Sequence, residues 1–232
     1  MKTQLIILPV LFFVFSSAMA QDCQTYFPFT KGARLEYTDY DGKDKESGTH
    51  TMIVQEISNT AGYTDAKVAF TSKDDKMKEA AKSEYLMRCK GNEFFFDMKS
   101  FTASAMEGFK DMQIEAQASY LTYPANMTVG TALPDGEMVM TISQNGTVFS
   151  TMTSKVLNRK VAATETITTP AGTFECLKIT FDVEMVAKTM GLPSTTQTSG
   201  IEWIAKGIGT VKSETYMKNG KKAGYSLLTK KS

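Results

Sequence analysis

With 232 residues, 26 lysines and arginines, 25 aspartates and glutamates and a single histidine, the chain carries a formal charge of +1. So even a balance lacks the basic surface that phosphate binding relies on, which argues against nucleic acid as a partner. One imidazole and three cysteines also leave little material for a nucleophilic triad or a four-ligand zinc site.

The first segment has the marks of an export signal. Lys2 supplies a positive start, Leu5 to Phe15 form an apolar run broken only by Pro9, and Ser16-Ser17-Ala18-Met19-Ala20 places small residues before a cut. Residues 1–20 are expected to be a signal peptide and 21–232 a single β domain. The apolar run is shorter than the roughly 20 residues a spanning helix needs, and no later stretch is longer, so no transmembrane segment is expected. Cys23 lies near the cut, but Gln21 and Asp22 intervene, whereas a lipid-modified cysteine must itself become the first residue. The expected product is periplasmic or extracellular and not a lipoprotein.

The mature chain then reads as short alternating segments separated by turn chemistry. Ala33 to Tyr40 alternates into Asp41-Gly42, a hairpin signal, and Thr49 to Ile57 answers it. Asn59 to Gly62 turns again before Asp65 to Thr71. Residues Asp74 to Ser83 are charged and rich in Ala, Lys and Glu, and read as a polar loop or a turn or two of helix. Glu84 to Cys89 and Glu93 to Met98 flank Gly91-Asn92. Phe101 to Lys110 reads as one short helix, kept brief by Gly108, which costs about 1 kcal/mol relative to alanine inside a helix.

From Met112 the period of two returns, through Ala118. Val139 to Ser143 and Thr147 to Thr153 flank Asn145-Gly146. Val161 to Thr169 and Thr173 to Glu184 flank Pro170-Ala171-Gly172, and Ile201 to Lys206, Thr210 to Met217 and Lys221 to Leu228 complete the chain. No strand–helix alternation implies a parallel sheet. The fold class expected is mainly β, either a single large curved antiparallel sheet or an up-and-down barrel, closed or half-open, with one short helix.

Chemistry is sparse. His50 is the only imidazole, no Gly-x-Ser-x-Gly elbow accompanies it, and it reads as a surface or strand-edge histidine without a role. Carboxylate pairs such as Asp39 with Asp41 fall where turns need acids. A catalytic residue set, a metal site and a cofactor are therefore not expected, and a hydrolase is the least favoured function. The informative feature is apolar softness: 15 methionines, many at alternating positions, beside the run Phe94-Phe95-Phe96. Flexible thioethers suit surfaces that accept varied apolar partners. A ligand-binding face is expected from Phe94, Phe96, Met98, Met138, Met140 and Met152, for an apolar small molecule or lipid. Plain core packing explains the same alternation. Cys23, Cys89 and Cys176 are the disulfide candidates; three single pairings exist, and Cys23 with Cys89 would tie down the N-terminal arm.

Three segments taken together resemble a known family. They are Cys23…Tyr26-Phe27-Pro28-Phe29 leading to Gly32…Leu35-Glu36-Tyr37, Thr168 through Cys176, and Trp203-Ile204-Ala205-Lys206-Gly207-Ile208-Gly209-Thr210-Val211-Lys212. They are similar to the uncharacterised exported proteins of Bacteroides-type bacteria grouped as "domain of unknown function thirty-one oh eight"-like. The resemblance implies a curved antiparallel sheet or barrel-like fold in the bacterial envelope, loosely similar to lipoprotein carriers, and brings no catalytic residues. The function expected is an exported envelope binding protein for a lipid-like ligand; the alternative is a non-catalytic structural or interaction module with an envelope protein as partner.

Overall fold

The computed structural model describes residues 26–91, 93–99, 112–117 and 119–232. Thirteen strands form one antiparallel sheet. The first seven are β1 (Arg34–Asp41), β2 (Glu46–Thr60), β3 (Tyr63–Asp74), β4 (Glu79–Lys90), β5 (Glu93–Asp97), β6 (Gln113–Ala116) and β7 (Tyr120–Tyr123). They are followed by β8 (Gly136–Gln144), β9 (Thr147–Thr169), β10 (Gly172–Thr189), β11 (Leu192–Ala205), β12 (Gly209–Met217) and β13 (Lys222–Lys231). Their order across the sheet is β6-β8-β9-β10-β11-β12-β13-β1-β2-β3-β4-β5-β7. The chain ends therefore meet in mid-sheet: the Arg34 amide donates to the Ser232 carbonyl at 2.9 Å, and the Ser232 amide returns to Arg34 at 3.0 Å.

The mainly β expectation holds, with the sheet curved but not closed. Several local expectations change. The charged stretch after Asp74 is a short turn and then strand, because Glu79 and Ala81 pair with Lys73 and Ser72 and Ala81 is buried. Tyr120–Tyr123, unassigned from pattern, is the edge strand β7. The first hairpin turns at Asp44, at φ 62, not at Asp41-Gly42, with Asp41 Oδ1 accepting from the amides of Lys43 and Lys45. Asn145-Gly146, with φ of 52 and 78, is the expected tight hairpin with both central residues left-handed. The helix expected at residues 101–110, the signal segment 1–20 and Cys23 lie outside the described residues.

Thr147–Thr153 and Val161–Thr169 are two stretches of one 23-residue strand. The period breaks between them because of a bulge. Thr180 pairs with Lys160 and Asp182 with Leu157, so Asn158 and Arg159 together face Phe181 alone. Asn158 takes φ 55 there and donates to Asp182 at 2.9 Å. The extra residue inverts the alternation: Ser154 and Val156 are buried before it, Arg159 and Val161 after it.

That inversion turns Arg159 inward, where it holds the gap at which the sheet stops short. β6 pairs with Met140–Ser143 of β8, while β7 stands near the start of the same strand without a ladder to it. A Cβ at Gly136 would lie 2.4 Å from Leu121 on β7, so the strands approach closely only because Gly136 has no side chain. Arg159 Nη1 donates to the carbonyls of Thr122 on β7 at 3.0 Å and Pro134 at 2.7 Å. Its guanidinium lies 4.5 Å from the Tyr123 ring centroid, and the Tyr123 hydroxyl donates to Glu202 at 2.9 Å. The main core surrounds this cluster with Val68, Met87, Phe94, Met98, Leu121, Met138, Met140 and Ile179, all almost fully buried. A second cluster of Cys176, Trp203, Ala205 and Val211 packs apart from it.

Replacing Arg159 with alanine removes the donor to the Thr122 and Pro134 carbonyls, the cation over the Tyr123 ring and the positive charge that acts on Glu202. The expected loss is about 3–5 kcal/mol of unfolding free energy, read from urea midpoints. Arg159→Met combined with Glu202→Gln should restore most of it. An unchanged midpoint for Arg159→Ala would show that the gap holds without the cation.

Candidate functional site

The curved sheet encloses a cavity of about 390 Å³. Its floor is the N-terminal arm. Pro28 sets the arm's direction, and Phe27 drops into the sheet, stacking on Phe94 at 4.3 Å between centroids and lying 5.7 Å from Phe96 and 6.4 Å from Tyr123. Gly209, at φ 102, gives the ring its place, since a Cβ there would sit 2.8 Å from Phe27 Cδ1. Tyr26 locks the arm by donating to the Ala125 carbonyl at 3.3 Å.

The walls differ by strand. Phe181, Val183 and Met185 on β10 and Phe70, Tyr85 and Phe96 on β3 to β5 make apolar sides. Phe181 leans over its cross-strand partner Gly200, where a Cβ would be 2.3 Å from its ring tip, so the glycine leaves the ring a seat at the cavity wall. Between these sides, Glu202, Ser213, Thr215, Ser226, Tyr37 and His50 carry polar groups from β11 across to β2. The Tyr37 hydroxyl reaches past β13 to the Thr210 carbonyl on β12 at 2.8 Å. Burial pushes its phenol up, and that of Tyr85 well up, so both stay neutral donors.

His50 lies on β2, a strand paired on both sides, and not at an edge. Its ring stacks on Tyr37 at 4.4 Å and lies 5.6 Å from Phe70. Asp39 accepts from Nδ1 at 2.9 Å and also from the Ser226 hydroxyl. The two glutamates at the cavity behave oppositely. Desolvation raises Glu202, with Arg159 and Tyr123 only partly offsetting it. Desolvation opposes the ionisation of Glu214 too, but hydrogen bonds from Lys212 and Tyr216 overcome it and hold that carboxylate below its usual range. Among the described residues, no group of three or more His, Cys, Asp or Glu side chains is placed to hold a metal, and no helix is long and apolar enough to cross a membrane.

Of the six residues expected at a ligand face, Phe96 lines the cavity. Phe94, Met98, Met138 and Met140 fill the core beside it, and Met152 is half-buried against that core. The cavity instead draws Met52 and Met185. Glu202 was missed, although an acid within the apolar run Ile201-Glu202-Trp203-Ile204 is an exception visible in the sequence. Cys176 is free and buried, donates to the Phe174 carbonyl at 3.6 Å, and is pushed up by burial to about 11. Cys89 is buried at the end of β4.

The profile of the DUF3108-like family matches residues 30–228. Among solved structures, a Bacteroides fragilis protein described as exported and as having a YmcC-like fold is 24% identical, with a TM-score of 0.70 over 90% of this chain and 100% of that one. A Parabacteroides distasonis protein described as a lipoprotein is 23% identical, with a TM-score of 0.73 over 91% of this chain and 100% of that one. The search of curated proteins found no match. The two structures share the fold of this chain.

Phe27→Ala should remove the cavity floor and lower stability by about 3–5 kcal/mol, measured by thermal or urea unfolding. For Cys176, alkylation by iodoacetamide at pH 8 should be slow in the folded protein and fast in urea. Fast alkylation without denaturant would contradict its buried, neutral state.

Proposed function

The chain belongs to the DUF3108-like family, and we propose that it is an exported binding protein of the cell envelope whose cavity holds an apolar, lipid-like ligand. The observation that carries this reading is the cavity itself, whose lining includes Phe27, Met52, Phe70, Phe96, Phe181 and Met185. A protein interior is normally packed to crystal-like density. The space of about 390 Å³ falls in the range of small-molecule sites, and its mainly apolar lining is what supports an apolar occupant. The role proposed is binding and not catalysis.

Export is supported by the character of residues 1–20 and by the descriptions of the two structural neighbours. An oxidising compartment would let Cys89 pair with Cys23, the combination left once Cys176 is buried and free. Cleavage after Ala20, with no lipid on Cys23, completes the proposal. Intact mass of the exported protein tests both parts: the mature chain from Gln21, two hydrogens lighter than its reduced form, is expected, and an acyl mass on a chain starting at Cys23 would overturn it.

A second reading, a partner-binding module, is favoured by Met190 and Leu192, which stand 80% and 75% exposed at the β10–β11 turn. The two readings separate by experiment. Nile red should bind the purified protein with blue-shifted emission, and Val183→Trp or Ser154→Phe, each placing bulk in the cavity, should abolish this while circular dichroism stays unchanged. Dye binding lost only with Met190→Ser and Leu192→Ser would place the apolar surface at that turn and remove the cavity reading.

A further inference from the structure

The cavity is divided by chemistry along the sheet, and the division defines a head-group position. Its polar groups occupy neighbouring strands, from Glu202 on β11 through Ser213 and Ser226 to His50 on β2. Apolar side chains take the flanks on both sides. A ligand that fills such a space with a uniform hydrocarbon would bury the polar stripe against carbon, at a cost of unpaired hydrogen-bonding groups.

The charges of this stripe are already committed. Glu214 is paired with Lys212 at 2.6 Å. Glu202 takes the Tyr123 hydroxyl and lies under the influence of Arg159. Asp39 is engaged by His50 and Ser226. Arg159 Nη1 is occupied with the Thr122 and Pro134 carbonyls, while its Nη2 is buried without a partner among the described residues and the residue lies outside the cavity lining. Lys212 is occupied with Glu214. Among the described residues lining the cavity, no lysine or arginine is left to receive an anionic head, and no carboxylate is left without a partner for a cationic one.

Among the described residues lining the cavity, the hydroxyls of Ser154, Ser213 and Thr215 and the Nε2 of His50 are without a protein partner, and only Nε2 sits on a ring fixed by stacking. In neutral His50, the bond to Asp39 fixes the proton on Nδ1, which makes Nε2 an acceptor. Nε2 has no hydrogen-bond partner among the described residues, and the ring is held edge-on to the cavity by Tyr37 and Phe70. An acceptor held in this way calls for a donor on the ligand.

We propose that the cavity selects a neutral amphiphile with a hydroxyl-bearing head, the hydroxyl donating to His50 Nε2 and the chain lying along Phe181, Val183 and Phe96. This rests on the reading of the cavity as the apolar-ligand site. Phosphate and carboxylate heads are disfavoured by the neighbouring acids and by the absence of lysine and arginine from the described lining of the cavity.

The test displaces Nile red from the full mature protein with monododecanoylglycerol, dodecanoic acid and dodecyltrimethylammonium, each below its micelle threshold. The acylglycerol should compete at a concentration about tenfold or more below the other two, the ratio one well-formed hydrogen bond supplies. His50→Phe keeps the ring stack but removes Nε2, and should erase that advantage while dye binding persists. Dye binding with no head-group preference, or with preference for the acid, overturns this inference and leaves the cavity reading standing. Absence of dye binding overturns the cavity reading itself. Should His50→Phe not fold, the ranking of the three heads in the unmodified protein decides alone.

Discussion

Arg159 donates to carbonyls on the two sides of a gap, lies over the Tyr123 ring and faces Glu202, all without contact with bulk water. A buried cation is unfavourable unless its hydrogen bonds and countercharge are supplied in place. Here Nη1 takes both carbonyls, the Tyr123 ring covers the cation and Glu202 lies within its electrostatic reach, while Nη2 is buried without a partner among the described residues. The interaction exists only because the bulge at Asn158 turns Arg159 inward. Backbone geometry on one strand thus decides how the two ends of the sheet approach each other without closing.

That curvature leaves space where a filled barrel would have none. Phe27 stops the space from below, Phe181 takes the seat made by Gly200, and paired acids stand along one wall. Glu202 and Glu214, the acids of the polar stripe, are paired within the protein, which lets them be buried without a ligand. Satisfied networks of this kind tend to rigidify the region around them, so the pocket keeps its shape when empty.

Much of the fold was legible from alternation and turn chemistry, because both report local backbone preference. Asn145-Gly146 forms the hairpin its residues demand, and Pro170-Ala171-Gly172 separates β9 from β10 as read. The failures share a physical cause, which is that tertiary pairing overrode local signal. Glu79 to Ser83 looked like a polar loop, yet pairing with β3 makes them strand. The strand Thr147–Thr169 looked like two because a bulge inverts parity without leaving a residue type that announces it. At the candidate site Phe96 lines the cavity, whereas Met138 and Met140, read as part of a ligand face, pack in the core. His50 looked idle because its partner Asp39 becomes a neighbour only across the β1–β2 ladder, a relation that spacing alone does not reveal.

The meeting of β1 with β13 has a consequence for the order of events in time. Leu35 and its partner Lys231 lie far apart in the sequence. Pairings so distant in the chain form slowly, since a long loop must close before any contact rewards it. The β1–β13 ladder is thus a late seam of the sheet: until it forms, the two halves on either side of it each keep an open edge.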